Sequence, residues 1–402
     1  MDIRPILSAL HHQRTASALI VIEIALACAI VCNALFIMSE RVDNLKQPSG
    51  IAEHELVQVR FNGGPNADAI TREDLAALRA IPGVKNVAII NQVPFQNSGW
   101  NSNLALTPDQ EQSALNASMY MAGKDTLRTL GLKLVAGRDF LPDEYKSYSD
   151  VEKNGISEMK GVLIITADAA KKLFPEDSAI GKTVYMANIP LHIVGVVERL
   201  ARANRARVDR DCSMLLPLRL NYGNGGFYLL RTEPARRDEV LKAAVAALDK
   251  IASNRLVLDQ RPYDAIRNKY FSADRDMIGL LLIVCFALMV VTALGIVGLA
   301  SFWVQQRTKQ IGIRRALGAT RHQILRYFQT ENFLLTSAGI VLGMLLAYAL
   351  NLLLMSKYEL PRLPLAYLPI SAALLWLLGQ LAVLAPARRA AAVPPAVATR
   401  SI

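Results

Sequence analysis

The chain has 402 residues, 52% of them hydrophobic, and 45 lysines and arginines against 34 acidic residues, a net charge of +11. That length and apolar content leave room for several long buried segments beside a sizeable folded domain. A nucleic-acid-binding module would gather its cations on one soluble face, whereas here they collect at the edges of apolar runs, which excludes that class.

Residues 1–15 carry Arg4 and Arg14 against Asp2 and lead into the apolar stretch 16–38. About 20 helical residues cross the ~30 Å hydrocarbon layer. The stretch exceeds the ~7–15-residue apolar core of a signal peptide, so it reads as a retained transmembrane helix. Glu23 lies inside it. An unpaired carboxylate there costs about 2.5 kcal/mol or more, so Glu23 is expected to face a dimer interface or a polar neighbour. Cys28 and Cys32 are four residues apart and read as packing residues.

Residues 39–276 change character, with short alternating segments broken by Gly, Pro and Asn, the pattern of an α+β domain. Strands are predicted over 55–61, 86–90, 117–122, 162–166, 183–186, 191–198 and 226–232. Helices are predicted over 167–174 and 234–251, and in TREDLAALRA, with Thr71 as N-cap and Asp74 three residues on. The irregular alternation points to two small lobes rather than one parallel sheet. Two polar loops, 92–112 around Trp100 and 141–160, read as solvated insertions, with Trp100 as a candidate contact for a partner or substrate.

EDSAIGKT (176–183) ends like a phosphate-binding loop but has Glu176 where that motif needs glycine. It also follows a helix and precedes a strand, the reverse of the required context, and reads as a turn at Gly181.

Three more membrane helices are predicted, over 277–304, 333–355 and 365–385, the last with Pro369 and Gln380 near its ends. The third carries Gly339 and Gly343, a small-xxx-small pair suited to close helix packing. Between the second and third lies the segment 305–331, with Arg307, Lys309, Arg314, Arg315, Arg321 and Arg326 and no acidic residue before Glu331. Ile311, Arg314, Arg315 and Gly318 fall at helical spacing, so one face of this joint is expected to press on a partner or on phospholipid headgroups. The tail 386–402 adds Arg388, Arg389 and Arg400. Residues 1–16, 304–330 and 386–402 together hold +10 of the net +11. This bias predicts both termini and the joint to be cytoplasmic, and 39–276 and the turn 356–364 to be external.

No disulfide is expected in the outer domain, where only Cys212 lies. The five histidines (His11, His12, His54, His192, His322) show no ligand spacing, and neither a catalytic constellation nor a metal site emerges.

The chain resembles MacB-type ABC transporter permeases with an FtsX-like membrane domain. The likeness is carried by RTASALIVIEIALACAIV (14–31), LGLKLVAGRDF (130–140), LFPEDSAIGKTV (173–184), IVGVV (193–197), QIGIRRALGAT (310–320) before Glu331, and PARRAAAVPPAVATR (386–400). It implies an α-helical membrane protein of four transmembrane helices with a large α+β extracytoplasmic domain of two lobes, set in a bacterial inner membrane. The implied protein pairs with a second permease copy or a related chain. It binds no cofactor and is not itself an enzyme, since ATP and Mg are held by a separate ABC ATPase subunit.

In such a protein Ile311, Gly312, Arg314, Arg315, Ala316 and Gly318 form the ATPase-coupling segment. The stroke is relayed outward rather than carrying substrate through a central cavity, and the proline-free stretches 16–44 and 264–306 suit continuous push-rods. Export or extraction of a periplasmic substrate (a peptide, antibiotic or lipoprotein) is the implied function, with a periplasmic adaptor, a TolC-like outer-membrane channel and membrane lipids as partners. The alternative is transmembrane signalling to a cell-wall hydrolase or a sensor kinase. Gln310 departs from the family pattern, which has an acidic residue at that place.

Overall fold

In chain order the described part of the computed structural model begins with helix α1 (Arg14–Leu45), whose 32 residues run about 48 Å, well past a hydrocarbon layer. The structure describes residues 14–63, 67–110, 112–155, 161–206, 208–358 and 362–394. The expectations for Arg4, His11, His12 and Arg400, for 156–160 of the charged loop and for 359–361 of the external turn lie outside the described residues. Residues 47–272 form one compact unit, and residues 1–46 with 273–402 form another.

The α+β unit contains β1 (Leu56–Phe61), α2 (Ala67–Arg79), β2 (Val84–Ile90), β3 (Asn101–Leu104), β4 (Leu115–Met121), α3 (Thr126–Leu130), β5 (Leu134–Gly137), β6 (Lys146–Ser147), α4 (Tyr148–Asn154) and β7 (Gly161–Thr166). It continues with α5 (Ala167–Leu173), β8 (Thr183–Met186), β9 (Ile189–Val197), β10 (Ser213–Leu216), β11 (Leu218–Arg219), β12 (Phe227–Thr232), α6 (Arg237–Ile251), β13 (Val257–Pro262) and α7 (Tyr263–Tyr270). One sheet is antiparallel throughout, in the order β13-β1-β12-β2. The other is mixed, β3-β4-β10-β7-β9-β5 with β8 on β9, and its β4–β10 and β7–β9 pairs are parallel. These sheets are the two lobes. Apolar side chains run without a break from Val57, Val59 and Ile89 of the first to Leu115, Ile165, Ile193 and Met214 of the second.

Helices α2 and α6 cover the antiparallel sheet with Leu78, Val240, Ala244 and Leu248. Beneath them lies a buried ion pair: Arg255 donates to both oxygens of Asp74, at 2.5 and 2.9 Å, between the rings of Phe61 and Tyr222. Tyr228 donates its hydroxyl to the same carboxylate. Burial, then the charge of Asp74, pushes the Tyr228 phenol far above its ordinary range.

Three local expectations are corrected. Helix α2 begins one turn before Thr71, which is buried mid-helix with its hydroxyl accepting from Tyr222 N at 3.2 Å and caps nothing. The loop 92–112 contains strand β3, and its Trp100 carbonyl accepts from Met119 N and from the Gln92 amide. The Trp100 ring, 36% exposed, stands edge-on to Tyr148. The loop 141–160 holds α4. The turn at 176–183 does stand between α5 and β8, with Gly181 at φ +79° and its N–H on Ile193 O.

The helical unit is completed by α8 (Ser272–Gln306), α9 (Thr308–Ala316), α10 (Arg321–Tyr358) and α11 (Tyr367–Ala392). Four of its helices, α1, α8, α10 and α11, are long and apolar enough to cross a membrane. Their shared core is Ile20, Ile24 and Cys28 of α1, Ile296, Ala300 and Trp303 of α8, Leu335 and Ile340 of α10, and Ala372, Leu375 and Val383 of α11. Large apolar residues of α8, among them Ile283, Phe286 and Leu294, are exposed in the single chain, as a surface facing lipid or another chain must be. The proline-free stretch 264–306 is not one helix, because α7 ends at Tyr270 and Phe271 (φ −92°, ψ 7°) separates it from α8. Arg41, near the end of α1, meets Asp274, in the first turn of α8, at 2.5 Å.

Candidate coupling site

The joint between α8 and α10 is built by local signals that end one helix and start the next. Ala316 is the last residue of α9, and Gly318 at φ +100° returns its N–H to Arg315 O, while Ala319 N–H reaches Arg314 O. Nothing lies within 4 Å of where a Gly318 side chain would stand, so glycine is required there by backbone conformation alone. Thr320 and Gln323 then exchange hydrogen bonds, Gln323 N–H to Thr320 Oγ1 and Thr320 N–H to Gln323 Oε1, a capping box that opens α10.

The nine-residue α9 is tied to its neighbours on one side. Ile311 is buried with Val304, Ile324, Phe328, Ala387 and Ala390, and Gly312 is buried beside it. Arg314 lies over the Tyr327 ring at 5.2 Å. Arg315 donates to the carbonyls of Ala391 and Val393, at 3.0 and 2.9 Å, satisfying the end of α11. That contact explains why α11 runs through Pro386 to Ala392 instead of ending at 385: its last two turns bury Ala387, Ala390 and Ala391 against α9 and α10.

Arg307, between α8 and α9, reaches back to Glu331 with both oxygens in range, at 2.9 and 3.1 Å. Glu331 is 1% exposed. Arg307 also stacks over Trp303.

The expected contact face is therefore divided. Of the residues singled out from the sequence, Ile311, Gly312 and Arg315 are engaged within the chain, whereas Ala316 and Gly318 are exposed and Arg314 is exposed beside Tyr327. Sequence spacing missed Ile313 and Leu317, four residues apart, whose side chains are 48% and 83% exposed. The sign that could have found them is the apolar pair at i, i+4 on a basic helix already supplied with an inward face by Ile311. A short helix with an apolar ridge of Ile313, Ala316 and Leu317, flanked by Lys309 and Arg314, can enter a groove of another protein and move with it.

Gly339 and Gly343 are placed on α10 against α1. A Cβ on Gly339 would stand 2.8 Å from Ile24 Cβ, and one on Gly343 2.5 Å from Cys28 Cβ and 2.7 Å from Ala25 O. Glu23 lies against Gly295 of α8, where a Cβ would stand 2.6 Å from its carboxylate. Among the described residues no group of three or more His, Cys, Asp or Glu is placed to hold a metal ion.

Residues 15–248 match the MacB-like periplasmic core domain, and residues 282–395 match the FtsX-like permease C-terminal domain. The chain is 26% identical over 291 residues to the macrolide export ATP-binding/permease protein MacB of Chromobacterium violaceum, covering 70% of this chain and 43% of that protein. It is 27% identical over 415 residues to the pyoverdine export ATP-binding/permease protein PvdT of Pseudomonas syringae, covering 98% and 58%. With the ABC transporter permease YknZ of Bacillus subtilis the figures are 23% over 296 residues, 71% and 68%. The chain thus spans about half the length of MacB and PvdT. Among solved structures, the periplasmic region of MacB from Actinobacillus actinomycetemcomitans matches 57% of the chain at 17% identity and a TM-score of 0.33. Both parts of the chain are accounted for by these domains, and it belongs to the MacB/FtsX-like family of ABC transporter permeases.

Proposed function

We propose that this permease sits in the bacterial inner membrane with both termini cytoplasmic, and relays the stroke of a separate ATPase subunit to its periplasmic domain to drive export or extraction of a periplasmic substrate. The observation that carries the reading is the exposed ridge Ile313, Ala316 and Leu317 on a helix whose other side is tied to three membrane helices. A push on that ridge reaches α8 through Ile311 on Val304, α10 through Arg307 on Glu331 and α11 through Arg315. ATP and Mg belong to the partner in this scheme, and a second copy or a related chain completes the permease. A periplasmic adaptor and an outer-membrane channel would continue the path.

The test is the ATP hydrolysis rate of the complex co-purified with its ATPase. Ile313→Asp with Leu317→Asp is expected to abolish association. Gly312→Asp, which puts a charge where α9 is buried, should uncouple hydrolysis from the permease. Unchanged association and unchanged rates in both variants would remove the basis for the assignment.

A further inference from the structure

We infer that the notch between α9 and α10 holds the phosphate of one anionic phospholipid from the cytoplasmic leaflet. This deepens the coupling reading by adding a ligand to the joint, and it rests on that reading for the side of the membrane.

The notch is a cavity of about 100 Å³. At ~30 Å³ per water it has room for about three waters, the size of one phosphate group and well short of the ~300 Å³ or more of a small-molecule pocket. Gln310 and Arg314 line it from α9, four residues apart and therefore side by side on that helix. Arg307 lines it from the bend before α9, and Tyr327 from α10. Its floor is apolar, made by Ile311, Ile324 and Phe328, all buried.

The lining holds two arginines and no carboxylate. Among the described residues Arg314 enters no ion pair, and its guanidinium lies over the Tyr327 ring. Arg307 meets Glu331 through Nη1 alone, which leaves the other donors of its fork for a second anion. Gln310 keeps the notch open to one. A glutamate there would pair with Arg314 one turn on and fill the space with negative charge, whereas the amide can donate to an incoming oxygen. It is also the position at which the sequence departs from the acidic residue of the family pattern.

Depth selects the source of the anion. Arg307 lies three residues past Val304, where one apolar run ends, and Phe328 five residues before Phe333, where the next begins. At ~1.5 Å per residue those are about 4.5 and 7.5 Å. The polar layer outside the hydrocarbon is about 5–7 Å deep on each side, so the notch opens among headgroups. Six cations and no acidic residue in 305–330 draw anionic lipid to this level. The ridge offered to the ATPase faces elsewhere, since Ile313 stands about 200° round α9 from Ile311. A phosphate shared by Arg314 and Tyr327 would tie α9 to α10, as Arg315 ties it to α11.

The full-length protein, stripped of lipid in a maltoside detergent and titrated with phosphatidylglycerol or phosphatidylcholine under native mass spectrometry, tests this. One phosphatidylglycerol should bind at least about tenfold more tightly than phosphatidylcholine, whose choline brings a cation to Arg314. Gln310→Glu and Arg314→Gln should each weaken it at least about fivefold, whereas Arg326→Gln, an exposed cation outside the notch, should change it less than about twofold. An excess of inorganic phosphate should displace none of the bound lipid. Equal retention of the two lipids overturns the proposal, as does undiminished retention by either folded notch variant. An equal loss in Arg326→Gln also overturns it, by showing diffuse attraction, and displacement by inorganic phosphate does so by assigning the notch to a soluble anion. If a variant does not fold, the two lipids and the phosphate competition on the unaltered chain decide. Ile313→Asp with Leu317→Asp should keep the lipid, so failure of the lipid site and failure of ATPase association are read separately.

Discussion

Single residues explain why two turns of the periplasmic domain are spelled as they are. Gly137 of GRDF and Gly195 of IVGVV stand opposite each other in the β5–β9 register. A Cβ on the first would lie 2.2 Å from Val194 O and one on the second 2.4 Å from Arg138 O, so neither position tolerates a side chain. That close approach turns the chain so that Arg138 grips Glu144 with both nitrogens, at 2.8 and 2.5 Å. The hydrogen bonds from Arg138, helped by Leu141 N–H, hold the Glu144 carboxyl below the usual carboxylate range. A carboxyl depressed on folding contributes stability above its unfolded value of about 4.5, and loses it as pH falls through the lower folded value. Glu144→Gln should therefore reduce thermal stability at pH 7 and flatten its decline below pH 5; an unaltered acid limb would show that the pair contributes nothing. The Arg307–Glu331 pair is drier. Arg307→Gln strands a buried carboxylate and should cost about 3 kcal/mol, while Arg307→Met with Glu331→Leu should recover most of it. Thermal unfolding in detergent measures both, and a double variant no better than the single would mean the pair is not simply a buried charge and its counter-charge.

At the level of elements, the basic run marks 305–331 as a joint, but its break at Gly318 and the Thr320–Gln323 box that starts α10 emerge only from the backbone, since helical spacing groups Gly318 on one face with Ile311. Gly318→Ala meets no neighbour, so any loss, expected at about 1–2 kcal/mol, reports the left-handed backbone alone. Glycines inside the membrane helices divide the same way. Gly343→Ala should destabilise by about 1–3 kcal/mol because Cys28 and Ala25 of α1 occupy the space, whereas Gly298→Ala, with nothing within 4 Å, should not. Similar melting temperatures for the two alanine variants would contradict this packing of α10 on α1. The limits of sequence reading lie in the same physics. Strands β1, β2, β7, β8, β9 and β12 announce themselves by alternation or by runs of Val, Ile and Leu. Strand β3 does not, because Asn101–Leu104 is a polar edge strand paired only to β4. Strand β13 also escaped notice, since Asp259, Gln260 and Arg261 break its apolar pattern at a sheet edge. The Asp74–Arg255 pair joins positions 181 residues apart, and no local spacing signals it. Helix periodicity likewise puts Ile311, Arg314, Arg315 and Gly318 on one face, which the fold divides: Ile311 turns in against Ala387 and Ala390 of α11, more than 70 residues away, while Arg314 and Gly318 stay exposed.

For the whole molecule, the charge asymmetry makes a geometric demand that the fold can be held to. Nearly all the net positive charge sits in segments at the two chain ends and in the α8–α10 joint, while the α+β unit is close to neutral. Cationic loops resist translocation, so these segments should stay cytoplasmic and the α+β unit should cross, the orientation in which Leu317 can meet a nucleotide-driven partner. The four native cysteines are all buried, which leaves a quiet background for thiol labelling. Lys153 and Leu317 are both exposed, one on α4 and one at the end of α9. In spheroplasts a membrane-impermeant maleimide should therefore modify Lys153→Cys at once and Leu317→Cys only after lysis. Labelling of Leu317→Cys in intact spheroplasts would put the joint on the wrong face for an ATPase, and the coupling reading would fail even with every contact of α9 intact.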